Sequence, residues 1–111
     1  MRHRVQRAAF HADGTRLTLA DGRALQISAL PDPAGTTRVH AAMRRITQVD
    51  VSIDGDLVST RVHGIGHRRQ CSVPVSVETA LALALEGCPC SVQLPDEPQP
   101  GAVSSVEVLP A

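Results

Sequence analysis

CSVPVSVETALALALEGCPCSVQL, residues 71–94, decides the fold class, because it reads in succession as strand, capped amphipathic helix and strand. Ser76 stands where an N-cap is needed. Glu78 falls in the first turn, where the helix dipole favours an anion, and Gly87 occupies the C′ position. The spacing predicts a helix over 77–86. On a 100° wheel Val77, Ala80, Leu81, Leu83, Ala84 and Leu85 fill a broad apolar arc, whereas Glu78, Thr79, Ala82 and Glu86 share a narrow polar stripe. Such a helix is mostly buried, and burying its three leucines contributes roughly 5–9 kcal/mol before chain entropy is subtracted. The flanking CSVPV and CSVQL are short β-rich runs. Pro74 cannot donate to a ladder, which implies a strand end or an edge there. A strand, helix and strand of this length suit a short right-handed crossover.

Towards the N-terminus, ADGTRLTL (12–19) and ADGRALQI (20–27) each place an Asp-Gly pair before alternating apolar positions. Asp-Gly suits the left-handed residues of a tight hairpin turn, so the first 28 residues read as a three-stranded meander. Leu17, Leu19, Leu25 and Ile27 face the core, and Arg16, Thr18 and Gln26 face water. LPDPAGTT (30–37) carries two prolines and a glycine and reads as a loop. After it Val39, Ala42, Met43 and Ile46 follow helical spacing, which predicts a short helix over 38–46 capped by Thr37. Val49, Val51 and Ile53 alternate with polar residues, and Asp54-Gly55-Asp56 turns the chain into a second hairpin.

The expected architecture is therefore α+β. It comprises a small, mostly antiparallel sheet of five to seven short strands, one amphipathic helix near the C-terminus and a second short helix near residue 40. Residues 1–94 form a single globular domain, and 95–111 a Pro-rich linker and tail that can add an edge strand. Leu, Ile, Val and Phe make up about a quarter of the 111 residues, enough for a packed core. With one Phe and no Trp or Tyr, that core is built from small side chains, so a lone copy has modest stability that a dimer would relieve.

Eleven basic and eleven acidic residues cancel, which argues against a global attraction to nucleic acid or anionic lipid. Neither a signal peptide nor a membrane span is expected, since MRHRVQRAAF has no apolar core and the longest apolar run is 80–85. Three cysteines, an odd number, without a secretion signal point to reduced thiols in the cytoplasm.

No motif of known catalytic specificity is present. The carboxylates are explained by turns and helix ends, and a Cys71 nucleophile beside a histidine base would need a convergence that spacing does not show. The expectation is a protein that is not an enzyme. A metal site, with zinc as the fitting ion, would draw on His63, His67, Cys71, Cys88 and Cys90. The spacing is poor for it, because His63 and His67 in one strand lie about 13 Å apart. An anion site would use Gly64 and Gly66 as a backbone nest, with Arg68 and Arg69 as the clamp. A phosphate-tracking nucleic-acid surface would use Arg2, Arg4 and Arg7 with Arg61, Arg68 and Arg69, but no aromatic platform accompanies them. The reading the sequence favours is a protein-interaction module, contacting itself or a partner through edge-capable segments at 70–75 and 103–109.

Overall fold

A computed structural model describes residues 2–12, 14–28, 31–54 and 57–94, together with the backbone of a strand at 106–109. The fold is α+β. Seven strands lie between residues 2 and 93: β1 (Arg2–His11), β2 (Gly14–Leu19), β3 (Ala24–Ile27), β4 (Arg45–Asp54), β5 (Leu57–Gly66), β6 (Arg69–Val75) and β7 (Cys90–Gln93). With β8 (Val106–Leu109) they form one sheet in the order β6-β5-β4-β7-β1-β2-β3-β8. Every pairing is antiparallel except β4 with β7. Helices α1 (Pro33–Ala42) and α2 (Val77–Leu85) pack against each other, and α2 lies across β1, β4 and β5. Asp13, the hairpin tip Gly55-Asp56 and the Pro-rich stretch 95–105 lie outside the described residues.

The stretch around α2 folds as its sequence dictates. The Ser76 side chain accepts from the Thr79 N–H, and Val77–Leu85 is helical. Gly87 adopts φ 93°, and the Gly87 and Cys88 N–H groups close back onto the carbonyls of Ala84 and Leu83 as a Schellman stop. Leu81 and Leu83 are fully buried. Thr79, assigned by the wheel to the polar stripe, is buried as well. Its hydroxyl finds the Ser76 hydroxyl at 2.9 Å, so a small polar group fits the apolar side once partnered. The chain then returns in β7, parallel to β4, having crossed over β5 and β4.

The meander of β1, β2 and β3 matches the Asp-Gly reading. Leu17, Leu19, Leu25 and Ile27 are at most 1 % exposed and belong to the same core as the leucines of α2. Arg16 is exposed as expected, whereas Thr18 and Gln26 are half-buried. In the β2–β3 turn the Asp21 carboxylate accepts from the Arg23 backbone N–H, the main influence holding its carboxyl below the usual range.

The first helix lies earlier than 38–46. Asp32, not Thr37, is the N-cap, its carboxylate accepting from the Gly35 N–H at 3.0 Å, and Pro33 opens the helix. A proline in that first position loses only an N–H that no helical carbonyl would meet, so the Pro/Gly-rich segment is a helix start rather than a loop. The helix stops at Ala42 because the Arg44 N–H donates to the Ile65 carbonyl at 2.8 Å, drawing the chain into β4. Ile46, the last member of the expected helical stripe, is thereby a strand residue.

Candidate functional site

Direct cross-strand neighbours share a face of the sheet, which sorts the sequence-derived candidates. Val49, Val51, Val62, Cys90 and Val92 point towards the helices and are buried. Asp50, Arg61, His63, Ser72, Ser91 and Gln93 occupy the opposite face, which neither helix covers.

The five metal candidates are not brought together. His63 is on the helix-free face, and His67 is in the β5–β6 turn. Cys71 pairs with Gly64 on β6, Cys88 lies in the α2–β7 connection, and Cys90 is buried on β7 towards α2. β5 and β4 separate β6 from β7, so Cys71 and Cys90 are three strand spacings, about 14 Å, apart across the sheet and further offset along it. Among the described residues no group of three or more His, Cys, Asp or Glu is placed to hold a metal ion. The Cys71 thiol donates weakly to the carbonyls of Arg69 at 3.6 Å and Gly66 at 4.0 Å, and neither is a base that could activate a nucleophile.

Nor do Gly64 and Gly66 form an anion nest. Both lie in the regular β5–β6 ladder opposite Cys71 and Arg69. Their lack of a side chain serves packing: a Cβ on Gly64 would overlap the Arg45 carbonyl and stand 2.8 Å from Met43 Sδ, and one on Gly66 would stand 2.7 Å from the Ala42 carbonyl. Arg68 sits with His67 in the turn, both with positive φ (70° and 46°). That is the left-handed conformation a two-residue hairpin turn demands, which histidine tolerates better than arginine.

Two recesses flank β6. The larger, about 370 Å³, runs between α1 and β6. Its walls are Val39, Ala42 and Met43 on one side and Val73, Pro74 and Val75 on the other, with Asp32 and Arg38 among its lining residues. β6 is the last strand of the sheet, beyond the strands on which α2 mainly packs, and Val73, on the helix-bearing side opposite the buried Val62, remains 37 % exposed. The smaller recess, about 270 Å³, is lined by Thr47, His63, Gln70, Cys71 and Ser72. His63 Nε2 lies 2.6 Å from Asp50 Oδ2, and Asp50 Oδ1 is 3.9 Å from Arg2. Sequence reasoning missed this Asp–His pair, because the two residues meet only through the β4–β5 register; the signal was the alternation that puts both on polar-face positions.

Cys90 is chemically set apart. Burial, and then the negative charge of Asp50, push its thiol up to about 12. Iodoacetamide at pH 8 is expected to leave Cys90 unlabelled in the native protein and to label it on unfolding, as read by mass spectrometry. Because the thiol binds its proton more tightly folded than unfolded, stability contributed below pH 9 is lost between pH 9 and about 12. The slope of that loss is about 1.4 kcal/mol per pH unit, and Cys90→Ala is expected to flatten it.

No helix among the described residues is long and apolar enough to cross a membrane. Compared with protein-family models, curated proteins and solved structures, the chain matches none.

Proposed function

We propose that this protein is a small, non-enzymatic interaction module, and that its contact surface is the β6 margin with a second copy of the chain as occupant. The observation that carries the reading is Val73, open to solvent in an apolar recess between an edge strand and a helix. A strand laid along β6 would extend the sheet and bring its own inward side chains over Val39 and Met43. In a two-fold arrangement the same patch meets itself, and Asp32 and Arg38 offer both partners of a charge pair. A core with a single aromatic gains from such added burial. Three free cysteines support a reducing compartment, the cytoplasm, as the place of action.

Sedimentation and light scattering test this directly. The protein is expected to dimerise, and Val73→Glu to weaken the dimer about thirty-fold or more while leaving the circular dichroism unchanged. Leu57→Ser, at an exposed position on a different hairpin, leaves the dimer intact. A protein that stays monomeric up to high concentration overturns self-association. The metal-binding alternative draws no support from the geometry, since its residues lie on different faces and strands, and the anion-binding one draws none because Gly64 and Gly66 are ladder residues rather than a nest.

A further inference from the structure

The zero net charge of the chain hides a separation of charge. The ladder register puts Arg2, Arg4, Arg7, Arg16, Arg45 and Arg61 on the helix-free face, and all six are exposed. Across the described strands three carboxylate positions, Asp50, Asp54 and, by its register opposite Gln26, Glu107, fall on that face, and Asp50 is already engaged by His63 and Arg2. The gaps between the arginines hold short neutral hydrogen-bonding side chains. One cross-sheet row reads Arg4, Ser91, Asp50, Arg61, and the next reads Arg2, Gln93, Ser52, Ser59. A bulge between Val5 and Arg7 lets β1 continue on the β2 side without turning Arg7 inward, and Arg16 lies diagonally across from it.

We infer that this face binds the phosphodiester backbone of nucleic acid. Guanidinium groups meet phosphate oxygens with paired hydrogen bonds, and Ser and Gln donors supply the short contacts that accompany them. Along β1, Arg2 to Arg7 spans about 16 Å, and Arg4 to Arg61 crosses three strand spacings, about 14 Å. A patch of that size covers about four phosphates of one strand at 3.4 Å per charge. Nothing on it reads bases: the one aromatic, Phe10, pairs with buried Thr15 on the helix-bearing side. Binding is therefore dominated by phosphate contacts and carries little dependence on sequence. Since the β6 recess opens on the other side of the sheet, the two surfaces act independently, and this inference stands without the dimer.

The test is fluorescence anisotropy with a labelled 20-base-pair DNA duplex. For about four phosphates the affinity falls with a log–log salt slope near −3.6, a loss of roughly 10² between 50 and 200 mM salt. Arg4→Gln and Arg16→Gln are each expected to weaken binding and to reduce the slope by about one, whereas Arg4→Lys keeps the slope and Arg44→Gln, off this face, changes neither. Thermal melts confirm that the variants are folded. Absence of binding at 50 mM salt, a slope indifferent to Arg4→Gln and Arg16→Gln, or capture by phosphatidylserine vesicles but not by the duplex each overturns the inference.

Discussion

Gly64→Ala is expected to destabilise the protein by about 3 kcal/mol, a large share of the stability of a domain this size. The added methyl has nowhere to go. It would point from β5 towards the helix-bearing side, into the Arg45 carbonyl and against Met43 Sδ. The thioether can rotate away, but the carbonyl cannot. Its neighbour Arg44 is fixed by the 2.8 Å bond from its N–H to the Ile65 carbonyl, and Arg45 and Ile46 are fixed by their pairing with Ile65 and Gly64. Relief would require the α1–β4 corner to lift from the sheet and break that bond. Gly66→Ala meets the Ala42 carbonyl at the slightly longer 2.7 Å and is expected to cost less. Urea denaturation of the two variants checks both the size and the order. A Gly64→Ala midpoint within error of the parent would mean that the corner is not seated on the strand.

The two glycines also show what was legible in the sequence and what was not. Alternation and turn chemistry are local, and they gave the meander, the β4–β5 hairpin and α2 with its cap and stop. The purpose of Gly64 and Gly66 is not local. In HGIGHRR they look like a flexible, phosphate-ready loop, yet it is a corner some twenty residues earlier that requires them bare. The same holds for Pro33, a loop signal by composition that becomes a helix start once Asp32 caps Gly35. The arginines were visible individually, and Arg16 was already directed to solvent. That Arg2, Arg4 and Arg7 share a face with Arg61 depends on β7 inserting between β1 and β4, a strand order no periodicity encodes. Net charge says nothing of where charges sit, because a sheet with helices on one side can separate charges that cancel over the whole chain.

Leu83→Ala is expected to destabilise by about 3–5 kcal/mol, lowering the melting temperature by more than about 10 °C. Leu83 is 0 % exposed in the single core cluster, which also holds Val49 and Val62 from the strands β4 and β5 on which α2 packs. Cavity cost depends on whether neighbours can collapse inwards, and here they are poorly equipped to do so. The sheet side presents β-branched valines with stiff side-chain torsions, and the helix side presents Ala80 and Ala84, which have no reach. Met43, the one flexible filler in the cluster, is held beside Gly64 at the α1–β4 corner. Leu85→Ala supplies the comparison: Leu85 is only half-buried, so solvent can replace part of what is lost, and the effect is expected to be less than half as large. Near-equal losses at the two positions would mean that α2 is rotated from this seating, which would uncover different side chains beside β6 and remove the basis for a contact at Val73.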